Sequence, residues 1–312
     1  MRARCRLGSK LGSLQTLPSP HVAQNAKPMT SATIKLFLPH GDAKRLRVGE
    51  VSNWTGKALA APRTELDDLL TREELESAGV YFLLGTNPNT GNPQAYIGEA
   101  EVIRERLKQH KAKALEFWNA IVVFISKDEN LTKAHVRFLE NRLWQESKAA
   151  GRYELENVNG SNPKLPESDR EDMEVFLSRI KQMLPVLGSD LLTPIAGSNK
   201  PTKAQPNLVC KIKSAIAYGR RTEAGFVVFK DSTAVLAVRP SAGGQHPFVV
   251  ALRQKLIQNG TLLENDGVYA FTQNAEFSSP SAAAAVVHGG GANGLTAWRD
   301  ATGKTLKELE EA

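Results

Sequence analysis

The chain has 312 residues, with 40 Lys+Arg, 33 Asp+Glu, 2 Cys, 24 Gly and 16 Pro. That is longer than one average domain, and 41% hydrophobic with 23% charged residues is a soluble globular composition. No run approaches the ~18 apolar residues of a membrane-spanning helix, so no membrane partner is expected. Cys5 and Cys210 are too few for a disulfide framework or a Cys-based zinc site, and the six His form no His-x-x-x-His pair. A reducing, cytoplasmic compartment follows. Six of the seven net positive charges sit in residues 1–41, which contain no acid. Any anionic partner must therefore be recognised by local patches, not by overall charge.

Residues 1–30 are basic, contain Ser and Pro and lack apolar periodicity. They read as a disordered tail, with a targeting peptide or a native start at Met29 as competing readings. Residues 33–38 read as a strand, 39–42 as a turn and 47–51 as the return strand. Thr64 is placed to cap a short helix over 65–70, and Thr71-x-x-Glu74 matches a capping box for a second. Residues 79–85 (Gly-Val-Tyr-Phe-Leu-Leu-Gly) form a buried-type strand. After a Pro- and Gly-containing loop, 95–98 (Ala-Tyr-Ile-Gly) form the other arm of a hairpin. A helix follows over 101–114.

Residues 121–125 are almost wholly apolar and read as a central strand. Ser126-x-x-Glu129 is a capping-box pattern before a helix over 131–149. A polar loop over 151–167 leads to a helix over 169–184, which Pro185 should end. Residues 193–207 carry three Pro and no apolar period, placing a linker within 191–209. Beyond it, 225–229 and 234–238 suggest a hairpin around Asp231. Residues 247–259 form a helix stopped by Gly260, 268–271 a strand, and 281–287 an Ala-rich helix before Gly289.

Three charged side chains break the expected pattern. In the helix over 101–114, Val102, Ile103, Leu107 and Ala114 mark an apolar stripe, and Arg106 and His110 lie on it. An inward Arg costs roughly several kcal/mol unless it is paired, or else its stem snorkels to water. In the helix over 131–149, Glu140 has Val136, Leu143 and Trp144 at helical spacing. A surface pair with Arg137 would contribute only ~0.3–0.5 kcal/mol, too little to offset burial. Tyr81 and Tyr96, on the two hairpin strands, complete a polar cluster. A phenol is a poor base at its ordinary pKa of about 10; an adjacent Arg and a cation would both favour phenolate.

At these residues the chain resembles the GIY-YIG nuclease superfamily. Gly79-Val80-Tyr81 and Tyr96-Ile97-Gly98 are similar to its paired tripeptides, Arg106 to its catalytic Arg ten residues after the second Tyr, with His110 one turn on, and Phe138-Leu-Glu-Asn141 to the segment bearing its metal-binding Glu. The core match runs from about Gly79 to Leu165. The wider pattern resembles bacterial proteins in which this domain precedes a small C-terminal domain of unknown function, whose end 292–306 resembles. Three departures stand out. Val80 replaces Ile, the loop between the tyrosines is longer, and the family's Asn after the Glu has three candidates, Asn157, Asn159 and Asn162.

The resemblance implies an α/β (α+β) fold. A small three-stranded sheet flanked by helices would occupy 76–190, preceded by a β-rich extension (31–75) and followed by a separate α+β domain (210–312). It implies hydrolysis of phosphodiester bonds in nucleic acid, DNA ahead of RNA, by nicking at one active site per chain. The cofactor would be Mg²⁺ (or Mn²⁺), held by Glu140. Arg106 would stabilise the transition state, Tyr81 would activate or position the attacking water, and Tyr96 and His110 would orient these groups, with proton shuttling a further role open to His110. Arg104, Lys108, Lys111 and Lys113 are candidates for backbone contacts. The competing expectation is a catalytically inactive module that binds nucleic acid or protein.

Overall fold

The computed structural model describes residues 31–112, 115–158, 160, 163–195, 207–240 and 242–311. The expectations for the tail and for a start at Met29, most of the linker, Lys113, Ala114, Asn159 and Asn162 lie outside these residues. The chain opens with β1 (Ile34–Phe37), β2 (Arg47–Val51), β3 (Gly56–Pro62) and α1 (Leu66–Leu70). Then come β4 (Gly79–Thr86), β5 (Pro93–Ala100), α2 (Ile103–Ala112), β6 (Trp118–Ser126), α3 (Lys133–Ala150), β7 (Glu154–Leu155) and α4 (Glu167–Val186). These strands make one seven-stranded sheet in the order β1-β2-β3-β6-β4-β5-β7.

The expected three-stranded sheet is therefore its centre and not its whole extent. Strand β3 pairs along its full length with β6, so segments 31–75 and 76–190 share one sheet. Its sequence, Gly-Lys-Ala-Leu-Ala-Ala-Pro, carries little strand propensity. Burial on both faces holds it there, with Ala58, Leu59, Ala60 and Ala61 all in the core. One sheet face packs Phe82, Ile97 and Phe124 against Leu139 and Leu143 of α3 and Phe176 and Ile180 of α4. The other packs Tyr81, Leu83 and Val123 against Leu69 of α1 and Ile103 and Leu107 of α2. The period-two alternation of β4 thus sends Tyr81 toward α2 and its neighbours Val80 and Phe82 toward α3.

Several local expectations change. Helix α1 is preceded by a 3₁₀ turn, and neither Thr64 nor Thr71 makes a side-chain cap. Thr132, not Ser126, caps α3, in a box closed by His135. Ser126 instead ends β6 and bonds Thr55 and Asp128, while Glu129 adopts φ 55° in the intervening turn. Pro185 lies inside the last turn of α4 and not beyond it, and the helix ends one residue later. Val102 is exposed and not part of the stripe.

The C-terminal part comprises β8 (Leu208–Ile212), β9 (Ala215–Thr222), β10 (Gly225–Val228), β11 (Thr233–Val235), α5 (Ala242–Gln245) and α6 (Pro247–Gln258). It continues with β12 (Leu262–Asn265), β13 (Val268–Phe271), β14 (Ala275–Phe277), α7 (Pro280–His288), α8 (Gly294–Ala297) and α9 (Leu306–Glu310). The expected hairpin around Asp231 does not form. Strand β10 joins the sheet β14-β10-β9-β8, and β11 joins β11-β13-β12. The turn at Asp231 (φ 66°) sends the chain from one sheet to the other. This region has its own core of Phe226, Phe271, Phe277, Trp298 and the buried face of α7, within one compact unit spanning Ala32–Ala312. No helix among the described residues is long and apolar enough to cross a membrane.

Candidate active site

The site begins at the β4–β5 hairpin. Tyr81 stands directly opposite Gly98, and a Cβ at Gly98 would meet the Tyr81 hydroxyl at 2.4 Å. Only glycine at that position leaves room for the phenol. The Tyr81 ring is 0% exposed and stacks beside Tyr96, with centroids 6.0 Å apart.

Helix α2 then delivers the cations. Its buried residues Ile103, Leu107 and His110 anchor it to the sheet, which turns Arg106 toward both phenols. Arg106 Nε donates to the Tyr81 hydroxyl and an Nη of Arg106 to the Tyr96 hydroxyl, both at 3.3 Å, while the other Nη donates to Gln109 at 3.0 Å. His110 Nε2 lies 2.7 Å from the Tyr81 hydroxyl, and the imidazole is 5% exposed. Its ring is edge-on to both tyrosines. Four of the five expected catalytic residues thus meet in one hydrogen-bonded cluster.

Burial raises the Tyr81 phenol well above its ordinary range; the neighbouring Tyr96 adds to this, and Arg106 opposes it. The sign is opposite to that expected from an adjacent Arg alone, because desolvation outweighs the guanidinium. The Arg106 guanidinium is itself raised, chiefly by its hydrogen bond to Tyr81 and against the penalty of burial.

Glu140 approaches from the opposite sheet face, on α3. Its carboxyl is pushed up to about 7, mainly by burial and further by Glu99, with Arg106 and Arg137 opposing. Glu99 was not singled out in the sequence, although it directly follows Tyr96-Ile97-Gly98. It stands opposite Val80, so strand alternation turns it to the α3 side. Its Oε1 lies 3.6 Å from Arg137, and its buried Oε2 has no hydrogen-bond partner among the described residues. An acid on a strand otherwise reading Ala-Tyr-Ile-Gly was the available signal.

Helix faces and one sheet edge bring the two sides together. Strand β7 pairs with only Gln94 and Ala95 of β5. Asn157 then takes over, accepting from Ile97 N (3.2 Å) and donating to Ile97 O (2.7 Å). Of the three Asn candidates, Asn157 is therefore committed to the β5 backbone. Trp144 Nε1 holds the same loop at Asn157 O (2.9 Å), and Asn141 holds Gly160 O (3.1 Å). The Gly160 backbone closes on Glu140: a Cβ there would come within 2.9 Å of Glu140 Oε2.

The candidate backbone contacts are not gathered at the cluster. Arg104 is tied to Glu76 and to Arg72 O, Lys108 to Glu105 and Lys111 to Asp67. A separate acidic group, His40 with Glu65 and Asp68, has metal-ligand spacing. His40 is bonded to Asp68 (2.6 Å), and Glu65 to Arg45 and Leu46 N.

Comparison with known families supports one part of the chain. Residues 208–310 match a family described as a domain of unknown function, DUF4357. No curated protein and no solved structure matches the chain.

Proposed function

We propose that the sheet region acts as a divalent-cation-dependent endonuclease of the GIY-YIG type, nicking DNA at one active site per chain. The observation that carries this reading is Arg106, whose guanidinium contacts both tyrosine hydroxyls while His110 contacts the more buried one. A guanidinium held between two phenols is oriented before any substrate arrives. That is the preorganisation a pentavalent phosphate requires.

The donor set suits a hard cation. Glu140 and Glu99 are two neighbouring carboxylates whose repulsion Arg106 and Arg137 offset only in part, and a buried Glu99 oxygen lacks a hydrogen-bond partner among the described residues. Glu140 would hold Mg²⁺ or Mn²⁺, with Glu99 near enough to feel its charge. When bound, the ion would neutralise phosphate charge and polarise the phosphoryl group.

The chain's own residues handle the proton. Neutral Tyr81 accepts a hydrogen bond from Arg106. A proton taken from water at the phenol oxygen is matched by the phenol proton passing to His110 Nε2, 2.7 Å away. Tyr96 steadies the guanidinium. The imidazole, and not a free phenolate, is thus the final acceptor, consistent with the raised Tyr81 pKa.

The test is plasmid nicking by purified protein with Mg²⁺, Mn²⁺ or EDTA, comparing wild type with Glu140→Ala and Arg106→Ala. Cation-dependent nicking lost in both variants supports the hydrolase. Cleavage equal in all three is a contaminant. A folded protein that cleaves no plasmid, single strand or structured RNA is the inactive binding module.

A further inference from the structure

The outer face of the four-stranded C-terminal sheet has no role in the hydrolysis proposed above. Strand β9 places Ile216 and Tyr218 there, 39% and 48% exposed, while Ala215 and Ala217 enter the core. Lys211 is the cross-strand neighbour of Ile216, and Val209 that of Tyr218. Val209 pairs in turn with Arg299. One row across the face therefore reads Tyr218, Val209, Arg299, and the next Ile216, Lys211. Both Lys211 and Arg299 are exposed.

Arg220 follows two residues along β9 but is buried, its guanidinium 5.8 Å from the Phe229 ring. The one acid these strands turn to the same side is Glu276 of β14. It is held by both Nη atoms of Arg152, at 2.6 and 2.9 Å. Lys213 and Lys230 lie exposed in the adjoining turns.

An open phenol with an isoleucine beside it serves no core, because this domain's core lies on the opposite sheet face. Flanked by the exposed Lys211 and Arg299, it forms a stacking surface with a phosphate-binding rim. A duplex hides its base faces in the stack, whereas a single strand offers them. We propose that this face binds single-stranded nucleic acid, with Tyr218 stacking on a base and Lys211 and Arg299 contacting the backbone. An acidic protein segment would meet the same cations but would gain nothing from the open ring.

The experiment is fluorescence anisotropy of the full chain with a labelled oligothymidine in EDTA, so that binding is read without hydrolysis. Tyr218→Ala should weaken binding about tenfold and Tyr218→Phe by less than about twofold, since stacking needs the ring and not the hydroxyl. Lys211→Ala should lower the slope of log affinity against log salt by about 0.7. The proposal is overturned if wild type does not bind, if Tyr218→Ala binds as wild type, or if duplex DNA or polyglutamate competes as well as unlabelled oligothymidine. Tyr218-dependent binding by a protein that never nicks plasmid would sink the hydrolase and leave this inference standing. Nicking with strand affinity indifferent to Tyr218 would do the reverse.

Discussion

Both halves of the molecule bury charge, and they treat it in opposite ways. In the C-terminal domain Arg253 is 2% exposed. Its guanidinium donates to the carbonyl oxygens of Val286, Val235 and Leu236 and lies 5.3 Å from the Tyr269 ring. Burial lowers its pKa, yet its guanidinium is held by backbone acceptors within the domain. In the sheet region, the half-buried Glu140 and Glu99 repel each other, and while Arg137 lies 3.6 Å from one Glu99 oxygen, the other has no hydrogen-bond partner among the described residues. A buried charge whose bonds close within the protein holds the fold together. One whose bonds stay open fits the cation site proposed above.

The comparison can be broken most directly at Arg253. Arg253→Met should destabilise the chain by about 3 kcal/mol in urea unfolding, because the guanidinium's hydrogen bonds to three carbonyl oxygens are lost. A loss under about 1 kcal/mol would mean that the buried cation is not a staple. Arg106→Ala should do the opposite, leaving the urea midpoint nearly unchanged while lowering the nicking rate about 10²–10³-fold. Equal damage to stability and rate would make Arg106 a structural residue like Arg253.

Glu140→Gln sharpens the contrast through pH. The folded carboxyl titrates at about 7, above the roughly 4.3 of an unfolded Glu. As pH rises between those values the unfolded chain ionises first, so this group makes the cation-free protein progressively less stable, and the full cost is present above about pH 7. In EDTA, the stability of Glu140→Gln relative to wild type should therefore grow from pH 5 to pH 8, by on the order of 1 kcal/mol once solvent screening is discounted. A pH-independent difference would remove Glu140 from its proposed environment.

The smallest effect is expected at Glu99. Removing its charge in Glu99→Gln should lower the Glu140 pKa. The acid limb of Mn²⁺ binding, followed by electron paramagnetic resonance, should move down by a fraction of a pH unit. An unmoved limb would show that the two carboxylates do not interact.

Much of the site was legible because local rules carry it. The Tyr81–Tyr96 pairing needs only strand alternation and a hairpin, and Arg106 and His110 need only helical period. The extent of the sheet was not legible. Strand β3 is largely alanine, and only burial between β2 and β6 makes it a strand. Strands β10 and β11 looked like partners because each is short and apolar, yet each found another sheet. Glu99 was hidden for a related reason: its neighbour Glu140 comes from a helix packed on the same sheet face, some forty residues downstream.

By itself the sequence determined which side chains are available and which face each takes, through periods of two and 3.6. It also determined that Gly98 would leave space above the strand. Only the tertiary structure decided that Glu140, on one sheet face, would come under the influence of Arg106 on the other. It also decided that desolvation would outweigh Arg106 at Tyr81. The reason is that pairing and burial depend on distances between segments far apart in the chain, and no local pattern encodes those distances.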